Sequence, residues 1–296
     1  MDLDLIDRIK RLTIISLVSD DSLMERLVLK GGNALDLIHG VSHRASMDID
    51  FSIAGDFAAD ELATLEERLQ RLLETTFGEH GLRVFDVRFA PKPREVSPDL
   101  AEFWGGYVLA FKVAAMSAFH EGDLAKSRRE SIALDARQRR TFFVDFSRLE
   151  HCEPSERHQL DGFTVRVYAP TLIIVEKLRA ICQQVASYRA QVRSPSASPR
   201  PRDFVDIVMV ADHFGIRLSL EEHADLVCCV FGAKRVPVAL LGQIGESREF
   251  HRTEFKAVQD TIRPNVRVRD FDHYFDRVLR MIEPLQPLWI VESPPR

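Results

Sequence analysis

The sequence has no apolar run approaching the ~18 residues that a membrane-spanning helix needs, so such a helix is not expected. Its first residues, Met1-Asp2-Leu3-Asp4, are acidic where an export signal would be basic, and the expectation is a soluble, cytoplasmic protein. Cysteine is scarce: Cys152, Cys182, Cys228 and Cys229 lack metal-ligand spacing and read as buried free thiols of a reducing compartment. Histidine is scattered over ten positions without a His-Glu-x-x-His pattern, and the one close pair, His39 and His43, straddles Gly40, so structural zinc is not expected. A nucleophile elbow for serine catalysis is also missing. Positive charge is in short supply, with 40 Lys and Arg against 45 Asp and Glu. The resulting net charge of −5 argues, as an average, mildly against a nucleic-acid partner.

What is present is a chain of 296 residues, 45% apolar and 29% charged. That length accommodates about two domains and a core that needs no disulfide or metal staple. Apolar residues at helical spacing predict a helix over 2–26, then a short strand, Leu27–Lys30, that stops at Gly31-Gly32. Asn33 is placed to cap a short helix over 34–39. Alternation predicts a strand over 47–53, a helix over 61–73 closed by Gly78, strands over 82–89 and 107–113, a basic helix over 124–140, and strands over 141–146 and 163–167. Beyond Pro170 helical periods dominate, over 171–185, 203–213, 218–230, 248–262 and 270–282, interrupted by the Ser/Pro stretch Ser194–Pro201. The expected organisation is an α/β domain over 1–168 and a helical domain over 169–296.

The chemistry concentrates in Lys30-Gly31-Gly32-Asn33 and Ser46-Met47-Asp48-Ile49-Asp50-Phe51. A strand, a Gly-Gly turn and a helix start present unpaired N–H groups to an anion, and glycine lets the backbone approach a phosphate. Asp48 and Asp50, at i and i+2 of a strand, share one face about 7 Å apart. Two such carboxylates repel unless a cation lies between them, a place that suits a hard, oxygen-seeking Mg²⁺. A phosphate cradle beside a carboxylate pair is what metal-assisted nucleotidyl transfer requires.

Gly-Gly-x, a helix, then Ser-x-Asp-x-Asp resembles the signature of the DNA polymerase β-like nucleotidyltransferase superfamily. The wider pattern is similar to the AbiEii/AbiGii toxin family of type IV toxin–antitoxin systems. Further stretches that carry it are Trp104–Tyr107, Phe111-Lys112, Phe143–Ser147, Glu176–Ala180 and Arg202–Asp206. The resemblance implies an α+β fold: a polymerase β-like nucleotidyltransferase domain, a mixed sheet flanked by helices, followed by a mostly helical C-terminal domain. It implies Asp48 and Asp50 as metal ligands and Asp145 as the third carboxylate, with Mg²⁺ (Mn²⁺ as substitute) as cofactor. Gly31, Gly32 and Asn33 would take the triphosphate of an NTP, though the family usually has Ser or Thr at position 33. Arg44, Ser46 and Arg202 are further phosphate contacts. Lys177 would neutralise phosphate charge, and Asp203 would either orient Lys177 or act as base.

The acceptor is addressed by where the charges sit. From Lys177 to Arg202 there are six basic residues and no acidic one, so the rest of the chain carries about −11. A second basic run, Lys126 to Arg140, holds six basic residues against Glu130 and Asp135. Basic clusters beside the motif suit an RNA acceptor, and Tyr188 is a candidate to stack a base. With the resemblance, the expected function is nucleotide addition to the tRNA 3′ end, halting translation, with a cognate antitoxin as protein partner. Two alternatives stay open: a nucleotidyltransferase acting on a small antibiotic-type acceptor, and a non-catalytic nucleotide-binding module.

Overall fold

The computed structural model describes residues 3–41, 48–95, 97–134, 138–192, 197–262 and 267–290. The chain divides into two compact units, one of Met1–Ile38 with Ser46–Val167, the other of His39–Ala45 with Tyr168–Arg296.

The first unit is built on one seven-stranded mixed sheet. Its strands are β1 (Leu27–Lys30), β2 (Ile49–Ile53), β3 (Leu82–Lys92), β4 (Gly106–Ala115), β5 (Phe142–Ser147), β6 (Ser155–Leu160) and β7 (Phe163–Tyr168). The spatial order is β3-β4-β5-β2-β1-β7-β6. β2 lies between β1, to which it runs antiparallel, and β5, to which it runs parallel.

Period-two alternation sorts the sheet into two faces. Ile49, Phe51 and Ile53 of β2, Phe142, Val144 and Phe146 of β5, and Tyr107, Leu109, Phe111 and Val113 of β4 are all buried on one side. Phe51 stacks on Phe146 there, and Phe89 on Tyr107. Two helices, α1 (Leu3–Val18) and α2 (Ala59–Gly78), pack together, and α2 also packs on β3. The apolar stripe of α2 is Leu65, Leu69, Leu73 and Phe77, one residue every fourth position.

The second unit is helical. Its main elements are α3 (Pro170–Cys182), α4 (Pro201–Phe214), α5 (Leu220–Gly232) and α6 (Phe271–Ile282). α4 packs on α3 and α6, with Phe204 stacked on Phe275 at 5.0 Å. Gly215, left-handed at φ +67°, ends α4.

Several expected elements change. The first helix stops at Val18, and a new one, capped by Asp20, starts at Asp21. The basic helix ends at Glu130, because the chain then turns onto the sheet and the Ile132 N–H donates to the Val113 carbonyl. Residues 248–262 form two short helices, Arg248–Arg252 and Phe255–Gln259. Strand β6 was not expected, since Ser155–Leu160 is polar; the turn at Asp161-Gly162, both left-handed, connects it to β7. Cys152 and Cys182 are buried as expected, but Cys228 and Cys229 are exposed on α5. Among the described residues no helix is long and apolar enough to cross a membrane.

Candidate active site

The sheet face opposite the aromatic core carries the acidic residues. β1 ends at Lys30, and Gly31 turns the chain at φ +69°. A Cβ on Gly31 would lie 2.7 Å from Asp50 Oδ2, so the turn rests directly over that carboxylate and a side chain at position 31 would displace it. Residues Gly31–Asn33 form one helical turn that widens into a π-type turn over Ala34–Ile38.

Asn33 does not cap this helix. It lies within the turn, fully buried, and its Nδ2 donates to the Asp48 carbonyl at 2.6 Å. The amide thus ties the Gly-Gly turn to the start of β2. Its Oδ1 is buried without a hydrogen-bond partner among the described residues.

Asp50 pairs in register with Lys30 on β1 and with Asp145 on β5. Residues so paired on neighbouring strands are about 4.8 Å apart and point to the same face. Asp48, two residues before Asp50, is exposed at the strand entrance. Asp50 and Asp145 are therefore neighbours on one face of the sheet, with Asp48 just outside the strand at the entrance of β2. Like charges this close disfavour one another, and a set of carboxylate oxygens alone is the donor chemistry of a hard divalent cation. The residues present fit Mg²⁺.

One cation of the chain already addresses this cluster. Lys92, at the end of β3, donates from Nζ to both oxygens of Asp145, at 2.6 and 2.8 Å. The sequence offers no local signal for Lys92, because the contact crosses 53 positions and depends on the strand order. Lys30 makes a second, largely buried pair with Glu150 at 3.6 Å.

The helical unit brings Lys177 and Asp203 together, with two further residues. Lys177 Nζ donates to Asp203 Oδ1 at 2.9 Å and to Asp206 Oδ2 at 2.8 Å. The three side chains are 7, 6 and 0% exposed. Arg200 binds the other oxygen of Asp203 through Nε. Burial pushes the Asp203 carboxyl up, but Arg200 and Lys177 outweigh it and hold the group below the usual carboxylate range. The backbone N–H of Arg200 donates to His251 Nδ1 at 3.0 Å, and burial lowers that imidazole to about 4. Asp206 was legible: three residues after Asp203, it shares that residue's face of α4. Arg200, three residues before Asp203, is also within local reach, whereas His251 carries no local signal.

The proposed nucleic-acid features of this region change most. Tyr188 is buried, its hydroxyl donating to the Lys234 carbonyl at 3.1 Å, so it offers no face to a base. The uniformly basic run is inward in part: Lys177 and Arg179 are buried, and the part-exposed Arg200 is paired with Asp203. The run compensates buried carboxylates, whereas Arg202 remains exposed. Arg44 and Ser46 lie outside the described residues, as does Arg193 of the basic run and Ser194–Ser196 of the Ser/Pro stretch.

Comparison with known proteins gives a match to the family described as Nucleotidyl transferase AbiEii toxin, Type IV TA system, over residues 15–277. None of the curated proteins matches. A crystal structure described as a nucleotidyltransferase from H. pylori aligns over 99% of both chains at 14% identity, with a TM-score of 0.51, and shares the fold. An antigenic nucleotidyltransferase-like protein from Paracoccidioides brasiliensis aligns over 84% of this chain and 93% of its own at 14% identity. Its TM-score of 0.36 is too low to bear on the fold.

Proposed function

The chain belongs to the AbiEii nucleotidyltransferase toxin family of type IV toxin–antitoxin systems, and from that premise we propose that it transfers a nucleotide from an NTP to an RNA acceptor, the tRNA 3′ end foremost. Family membership implies nucleotidyl transfer, a nucleotide substrate and an antitoxin partner. The observation that carries the site assignment is the convergence of Gly31 over Asp50 with the Asp50–Asp145 register on the same face.

In this reading the backbone N–H groups of Gly31, Gly32 and residue 33 hold the triphosphate. Asn33 positions Asp48 through its carbonyl. Mg²⁺ held by Asp48, Asp50 and Asp145 would supply charge neutralisation at the phosphates and a more acidic acceptor hydroxyl. The acceptor hydroxyl oxygen forms a bond to the α-phosphorus and gives up its proton to water, the bond from that phosphorus to the bridging oxygen breaks, and pyrophosphate leaves. The chain contributes positioning and electrostatics. The Lys177–Asp203 ion pair favours the orienting role for Asp203 over that of base.

The test is incubation of the purified chain with α-labelled NTPs, Mg²⁺ and total RNA. Label is expected on RNA, with a loss of at least ~10³-fold in D50N, since the metal contribution amounts to several kcal/mol. Label on a small hydroxylated acceptor but not on RNA would establish an antibiotic-type enzyme. Undiminished toxicity of D50N on expression would establish a non-catalytic module.

A further inference from the structure

The acidic face of the sheet continues beyond the carboxylates, and there it is open. On β5, Phe143 shares the face of Asp145 and is 47% exposed, although β5 is an interior strand paired on both sides. Across on β4, Asp145 pairs with Val108 and Phe143 with Ala110, so small side chains flank the ring and leave its face clear. Two residues further along β4 is Lys112, on the same face and 3.1 Å from Asp86 Oδ2. Arg128, from the helix Leu124–Glu130, binds both oxygens of Asp86 at 2.7 and 2.8 Å. Two cations thus share one carboxylate, and Arg129, exposed on the same helix, is balanced by the exposed Glu130 beside it.

The result is a track in two-residue steps of about 6.8 Å: a carboxylate, an exposed aromatic ring, then a basic rim. Aromatic platforms beside positive charge bind single-stranded nucleic acid, because every base has a π-face and every linkage a negative charge. The Gly-Gly turn lies over Asp50 on its β1 side, whereas Phe143 lies beyond Asp145 on the β5 side. A triphosphate on the turn leaves the β5 side to the acceptor.

We propose that this track seats the acceptor strand: Phe143 stacks the base of the terminal nucleotide, whose hydroxyl is thereby presented beside Asp145, and Lys112 with Arg128 holds the phosphate behind it. The inference rests on the RNA-acceptor reading and deepens it by naming where that strand lies. It also reassigns the nucleic-acid contact from Tyr188 to Phe143.

The test is fluorescence anisotropy of a labelled single-stranded RNA oligonucleotide with the full chain, alongside binding of a fluorescent NTP analogue. F143A is expected to weaken RNA binding roughly tenfold while nucleotide binding stays within twofold. F143W should retain RNA affinity, and its added tryptophan emission should be quenched by RNA. R128A should reduce the slope of log affinity against log salt by about one. Phe143 being exposed, F143A should keep the wild-type circular dichroism. Unchanged RNA affinity in F143A overturns the track, and so does a loss of nucleotide affinity in place of RNA affinity. A wild-type chain that neither binds nor labels RNA removes the RNA-acceptor reading itself, and the track with it.

Discussion

Carboxylates in the two units of this chain meet opposite circumstances. In the sheet unit Asp50 and Asp145 are adjacent on a part-exposed face, Asp48 is exposed at its edge, and the mostly exposed Lys92 binds Asp145. In the helical unit Asp203 and Asp206 are buried and bound by Lys177 and Arg200. A carboxylate left near water keeps oxygen lone pairs for a ligand that arrives from outside, whereas one taken from water must be neutralised by the chain itself. The same residue type is therefore proposed as a metal ligand in one place, and is part of a buried ion-pair cluster in the other. Identity and motif do not separate these settings; burial does.

The comparison can be broken or sharpened by substitution. The largest effect on stability is expected for K177M, which leaves Asp203 and Asp206 buried without their shared cation; loss of one partner of a buried pair costs about 3–5 kcal/mol. Urea denaturation measures it, and K177M combined with D206N should regain part of the loss. Equal stability of K177M and wild type would show the cluster to be solvated in solution.

A smaller effect concerns pH. The His251 imidazole is held at about 4 by burial, against 6.5 for the free side chain. The folded chain then binds fewer protons than the unfolded one, so stability is full above about 6.5 and falls as pH drops toward 4. The amplitude is up to about 3 kcal/mol. H251N should flatten that part of a pH–stability curve measured by thermal denaturation; an unchanged curve would assign the acid loss to other groups.

The smallest effect is expected at the turn. G31A places a methyl in a left-handed conformation, at about 1–2 kcal/mol, and against Asp50 Oδ2. Its stability loss should be modest beside its loss of nucleotide transfer, since the displaced group is the central carboxylate. A variant as active as wild type would show that the turn does not set the position of Asp50.

Much of this was legible in the sequence, and the limits have physical causes. The Gly-Gly turn and Asp48 and Asp50 are local features, fixed by spacing along one or two elements. Asp145 could be named from resemblance, but its place beside Asp50 depends on β2 and β5 pairing in parallel across 95 positions of chain. Lys92 is a product of strand order alone. Charge counting along the chain overstated the basic surface over 177–202, because a run of like charges says nothing of direction and Lys177 and Arg179 turn inward. β6 escaped detection because an edge strand of polar residues lacks the apolar alternation by which strands are recognised.

The central claim is that the open carboxylates, and not the buried ones, bind the divalent cation. Electron paramagnetic resonance of free Mn²⁺, titrated with the wild-type chain, D50N, D145N and D203N under conditions where all four are folded, tests it directly. The account predicts that D50N and D145N lose Mn²⁺ binding while D203N binds as the wild type does. Loss of Mn²⁺ binding in D203N, with D50N and D145N unaffected, would contradict it.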